Sequence, residues 1–177
     1  MQFNLVPHPS TPPADPPFKL WANVDYAGSL GAVATANMWF GVGAGAERFV
    51  IPQGVAGRAD ELWKTTCFEA FFREAGKKRY REWNFAPSGQ WAAYDFSSRR
   101  KGMKSTDVAQ PPYIRIEDNF TWWGLGAAIA IPADTAWELG LSAVLEEKNG
   151  TKSYWALAHG GGEPDFHAAD CFAARLP

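Results

Sequence analysis

Two residues six positions apart carry the most specific chemistry in this chain: Trp63 and Glu69, within LWKTTCFE (Leu62–Glu69). An indole offers a flat apolar face for stacking, and a carboxylate accepts hydrogen bonds from hydroxyl groups. From Thr66 onward the run alternates. Phe68, Ala70 and Phe72 share one face with Thr66, and Glu69 shares the other with Cys67, Phe71 and Arg73. A carboxylate between Cys67 and Phe71 on a partly apolar face needs a partner. The partner is either a basic neighbour, Arg73 or Arg81, or the hydroxyls of a ligand.

The densest polar segment is HGGGEPDFHAADC, with His159, Glu163, Asp165, His167, Asp170 and Cys171 close together. A metal site could draw on His159, His167 and Cys171. However, no standard ligand spacing is present, and a loop that ties down its own backbone explains the same residues. Nucleophilic chemistry has little support: Cys67 alternates inside a strand pattern, and no G-x-S-x-G elbow occurs. The glycines of GVGAGA (Gly41–Ala46) lack a dinucleotide fingerprint's spacing. Basic clusters at Lys77–Arg81 and Arg99–Lys104 read as solvated strand ends or loops.

The composition narrows the classes further. A chain of 177 residues, 46% hydrophobic and 20% charged, can bury one domain's core. A net charge of −2 sets up no global field for nucleic acid or an anionic membrane. No apolar run is long enough to span a bilayer as a helix. The start lacks a secretory pattern, so the expected location is cytoplasmic, with Cys67 and Cys171 as free thiols.

The elements that must position these residues are short and β-rich. Prolines crowd residues 7–17, which excludes a helix there and predicts an extended arm over residues 1–17, followed by one domain over 18–177. Strands are expected near Lys19–Tyr26, Ala32–Val42, Arg48–Ile51, Thr66–Arg73, Tyr80–Phe85, Trp91–Phe96, Tyr113–Asp118, Trp122–Ile131, Leu139–Glu146, Lys152–His159 and Cys171–Arg175. One short helix is expected at Ala133–Leu139, after Pro132. So many short strands predict an all-β antiparallel sandwich.

Two hairpins can be registered by hand. A two-residue turn at Asn149-Gly150 pairs Leu145 with Tyr154 and Val144 with Trp155. One at Ser88-Gly89 pairs Phe85 with Ala92 and Trp83 with Tyr94, which collects the aromatic residues on one face and leaves Trp91 among polar neighbours.

Three segments, LWKTTCFEAFF, REWNFAPSGQWAAYDF and YWALAHGGGEPDFHAADCF, resemble in order and type those of DOMON-like domains, relatives of the family 9 carbohydrate-binding modules. The resemblance implies a β-sandwich of immunoglobulin-like or jelly-roll-like character that binds a small ligand without chemistry of its own. It implies that Trp63 stacks on a carbohydrate or sugar-like molecule while Glu69 and Arg81 bond its hydroxyls. The Asp165–His167 loop closes the site. Trp91 and His159 complete the candidate set, with Phe166 or His167 in place of the second Trp that such modules carry and this chain lacks. No cofactor, membrane or nucleic-acid partner is expected. The alternative that the resemblance implies is haem b, held by Met38 or Met103 with His159 or His167.

Overall fold

The computed structural model describes residues 1–176. Thirteen strands form two antiparallel sheets with a shared core. The first sheet runs β1 (Gln2–Pro7), β2 (Leu20–Leu30), β3 (Val33–Val42), β10 (Trp123–Pro132) and β9 (Tyr113–Asp118). The second runs β4 (Gly57–Arg58), β7 (Gln90–Phe96), β6 (Tyr80–Phe85), β5 (Cys67–Glu74), β11 (Trp137–Glu146) and β12 (Lys152–Ala156). The short strands β8 (Lys104–Ser105) and β13 (Ala174–Leu176) pair with β7 and β11. Every pairing is antiparallel except β4 with β7.

The extended N-terminal arm is partly built into the fold. Gln2–Leu5 pair with β2, and Val6–Pro7 pair with β12, so one strand joins the two sheets. Between the sheets lies the main core. The Phe68 ring of β5 meets Phe40 of β3 at 5.1 Å and Trp123 of β10 at 5.5 Å.

The expected helix at Ala133–Leu139 does not form. After Pro132 the chain bends through Asp134 at φ 55°, then enters β11 at Trp137. Leu139, Leu141, Ala143 and Leu145 enter the main core at every second position, the period of a strand, and β5 and β13 flank this stretch. The expected strand at Arg48–Ile51 is also absent. A 3-10 turn spans Ala46–Arg48, and Phe49 makes only an isolated bridge to Glu147.

Both hairpins are one residue out of the expected register, for one reason. Each loop has three residues. Gly89 N–H bonds Ala86 C=O at 3.0 Å with Gly89 at φ 81°, and Gly150 N–H bonds Glu147 C=O at 2.8 Å with Gly150 at φ 89°. A turn closed by a left-handed glycine suits Pro87 at its second position, whereas a two-residue type I′ turn would force positive φ on Ser88. Phe85 therefore opposes Trp91, and Glu82 opposes Tyr94. Likewise Val144 opposes Tyr154.

The shift distributes the aromatic residues over both faces. Trp83, Phe85 and Trp91 enter the main core, while Tyr80, Tyr94 and Phe96 build a second cluster on the far side of the same sheet. Trp91, expected among polar neighbours, is only 8% exposed. Loops cover that far side, bringing Leu62, Phe166 and Phe172 onto it, and this covered face holds the candidate site.

Candidate functional site

A cavity of about 600 Å³ opens between the covering loops and the outer face of β5, β6, β11 and β12. Four of the residues singled out in the sequence line it: Trp63, Glu69, Phe166 and His167. Trp63 stands on a 3-10 turn, Leu62–Lys64, anchored by the buried Leu62. The preceding loop is pinned by Tyr94 Oη donating to Asp60 at 2.6 Å, and by Arg58, whose guanidinium donates to the carbonyls of Thr106 and Ala93. The half-exposed indole meets the Tyr94 ring edge-on at 5.7 Å and keeps the rest of its surface at the cavity wall.

The cavity floor holds two carboxyls. Glu69 and Glu82 are 3% and 4% exposed. Phe71 opposes Glu82, so the two acids are diagonal neighbours on β5 and β6, a spacing of about 7–8 Å between backbone positions. Ser142 Oγ donates to Glu69 Oε2 at 3.1 Å, and Asn84 Nδ2 donates to Glu82 Oε1 at 2.7 Å.

Burial pushes both acids up. Glu69, further raised by the charge of Glu82, lies well above the usual carboxyl range. Glu82 reaches about 7, with the Asn84 bond and the Arg100 charge opposing the rise. Lys64, Lys152 and Arg100 stand around the same cavity, so the lining is acidic at its floor and basic at its rim.

His167 connects floor and rim. Arg100 N–H donates to Tyr80 Oη at 3.2 Å, and Tyr80 Oη lies 2.7 Å from His167 Nδ1. Burial pushes the Tyr80 phenol up to about 12, so it stays protonated and donates to Nδ1. The imidazole proton then sits on Nε2, which faces Glu82 Oε2 at 3.7 Å. Burial first, and then the Arg100 charge, holds His167 down to about 4. Between about pH 4 and 7 this contact is a neutral imidazole beside a carboxyl that keeps its proton; it is not an ion pair.

The other four candidates lie outside the cavity lining. Arg81 is paired with Asp95 at 2.7 Å and borders a separate cleft of about 730 Å³ at the sandwich end. Trp91 is in the main core, under the Arg58 guanidinium. His159 donates from Nε2 to Val6 C=O at 2.8 Å and packs edge-on against His8. Asp165 is the clamp of the closing loop: it accepts from Arg99 at 2.6 Å, from Arg100 at 2.9 Å and from His167 N–H at 3.0 Å. Its carboxyl is held below its ordinary value despite burial, through these donors. It therefore orients Phe166 and His167 from behind.

Among the described residues no three His, Cys, Asp or Glu side chains are grouped to hold a metal ion. Cys171 Sγ turns to Asp165 C=O at 3.4 Å, away from any joint site with His159. Both cysteines are free and buried. Of the two internal methionines, Met38 is in the main core, whereas Met103 lines the same cavity as His167. Sequence reasoning did not single out Glu82, Arg100 and Tyr154 as one lining set. Its only trace of Glu82 was a polar residue alternating with Trp83 and Phe85, which in a strand buried on both faces marks a polar group facing something other than core.

An all-β antiparallel sandwich with a loop-covered cavity on one sheet is the class that fold and site define. No family model matches the chain, and no curated protein matches it in sequence. It is similar to a solved structure described as a "putative carbohydrate-binding protein" from Bacteroides uniformis. The identity is 13%, the TM-score 0.60, and the match covers 96% of this chain and 84% of the other. At that identity the likeness establishes the fold alone. Among the described residues no helix is long and apolar enough to cross a membrane.

Proposed function

We propose that this protein is a non-catalytic binding module whose ligand is a carbohydrate or sugar-like small molecule held in the Trp63 cavity. One observation carries the reading: a half-exposed indole shares a single cavity with two buried carboxyls that have acceptor capacity facing it. A pyranose presents the matching surfaces, an apolar ring face and a fringe of hydroxyls. In this reading Trp63 and Phe166 supply the apolar contact, Glu69 and Glu82 accept hydroxyl donors, and Arg100 donates from the rim. The similarity to a structure described as carbohydrate-binding supports the same class.

Calorimetric titration with a panel of mono- and oligosaccharides tests the proposal. Binding by the native chain and its loss in Trp63→Ala, with little change in melting temperature, is the expected result. A panel without any binder, or a Trp63→Ala variant that binds as well as the native chain, overturns it.

A second reading, haem b, rests on Met103 and His167 lining the same cavity. It would require His167 to turn Nε2 away from Glu82. A Soret band shifted from that of free haem after haem addition, and shifted again in Met103→Leu, is its signature.

A further inference from the structure

The opposite side of the sandwich carries a second constellation. On the outer face of β2, β3, β10 and β9 the register aligns side chains in rows across four strands. One row is Asn23, Trp39, Gly126 and Arg115; the next is Asp25, Asn37, Ala128 and Tyr113. The β10 positions in these rows are small, so the sheet surface dips there. The dip is a groove of about 340 Å³ bordered by Trp39 and Tyr113.

The glycines have a definite role here. A Cβ at Gly124 would overlap the Trp39 indole, and one at Gly126 would lie 3.1 Å from it. A Cβ at Gly41 would overlap Trp21 in the same way. Both indoles thus lie down on the backbone, as a glycine in a strand permits. Trp122 meets Trp39 edge-on at 6.2 Å, and the Arg115 guanidinium lies 5.3 Å from the Trp39 ring centre. Tyr113 is 68% exposed, and Trp21, Trp39 and Trp122 are each half-exposed.

We propose that this face is a second carbohydrate site, which takes the flank of a linear oligosaccharide lying across the strands. The choice of occupant follows from the mixture of side chains. Rings laid flat along the sheet offer stacking surface, and between them Asn23 and Asn37 present amides that both donate and accept. A pyranose chain satisfies both, since its ring faces are apolar and its hydroxyls donate and accept. An apolar protein surface would bury the two amides without partners, at a desolvation cost. Four strands about 4.8 Å apart give a path of roughly 14 Å, which suits several linked sugars better than one. The site is on the other sheet from the Trp63 cavity and stands whether or not that cavity binds sugar. With both occupied, the module is bivalent for one polysaccharide.

The test is a two-dimensional NMR titration of the full chain with four neutral hexasaccharides: β-1,4-glucan, xylan, mannan and chitin types. At least one is expected to move the indole N–H signals of Trp21 and Trp39 and the side-chain amides of Asn23 and Asn37. The same shifts are expected in Trp63→Ala. Trp39→Ala should weaken this binding by about tenfold or more, as loss of an aromatic anchor does. Because Trp39→Ala uncovers two glycines, Asn37→Ala is measured alongside it and should weaken binding in a chain with native-like spectra. The proposal is overturned if none of the four moves these signals, or if Asn37→Ala and a folded Trp39→Ala both bind like the native chain. It is also overturned if the signals move with protein concentration alone, which would make the face a self-association surface.

Discussion

Replacing Glu82 by Gln should stabilise the protein, and by an amount that depends on pH. In the fold this carboxyl titrates at about 7, against 4.5 for an unperturbed glutamate. The folded chain therefore keeps a proton that the unfolded chain has lost, and stability falls as pH rises through this interval. At about 1.36 kcal/mol per pH unit, an interval of 2.5 pH units corresponds to roughly 3 kcal/mol. Gln keeps the acceptor that Asn84 uses but has no proton to lose.

The advantage of Glu82→Gln over the native chain should thus be smallest near pH 4.5, grow through pH 5 to 7, and level off above about 7. Removing the Glu82 charge also relieves Glu69, which it raises, and this adds to the gain with the same sign. His167 works the other way. Its folded value of about 4 lies below the ordinary 6.5, so the unfolded chain gains a proton first and stability is lost as pH falls from 6.5 toward 4. In the native chain the two slopes oppose each other over the same interval. In Glu82→Gln only Glu69 still opposes the His167 slope, so lowering the pH from 7 should favour that variant less than it favours the parent. Urea melts of both proteins at pH 4.5, 5.5, 6.5 and 8 measure this directly. A stability difference that does not vary with pH would refute the assignment of Glu82 as a buried, proton-keeping acid.

Further outcomes follow from the same geometry. Trp83→Ala and Trp91→Ala should each cost ~3–5 kcal/mol in denaturant melts, because both rings are in the main core; a near-neutral Trp91→Ala would mean that the hairpin register is wrong. Thiol titration should count two free thiols in the denatured chain and slow reaction in the native one, since burial pushes both up, Cys171 to about 11. Asp165→Ala frees Arg99 and Arg100 and should lower both the melting temperature and the affinity of the Trp63 cavity, by releasing the loop that carries Phe166 and His167; an unchanged affinity would show that the loop does not shape the site.

Much of this protein is legible one residue at a time. The alternation of Phe68, Ala70 and Phe72 with Cys67, Glu69 and Phe71 places these residues on opposite faces of β5 without any knowledge of what lies against either. Side-chain direction in a strand is a local property with period two. The bounds of β6 and β9 follow from the same local pattern.

What the period-two pattern of a strand does not encode could not be read that way. A hairpin's register turns on whether its loop has two residues or three, a small energetic choice made by Pro87 and the left-handed glycines. One residue of difference moves Trp91 into the core and Glu82 against Tyr94. Glu82 becomes a companion of Glu69 only because β6 lies beside β5, and His167 reaches them only because Asp165 is clamped by two arginines from another loop. The segment after Pro132 looked helical within its own few residues and became a strand because β5 and β13 offered it ladders on both sides. Local sequence determines which way a side chain points along a strand. Which side chain from elsewhere meets it is decided by pairing across the sheets, where the free energy of burial is collected only once the whole sandwich has closed.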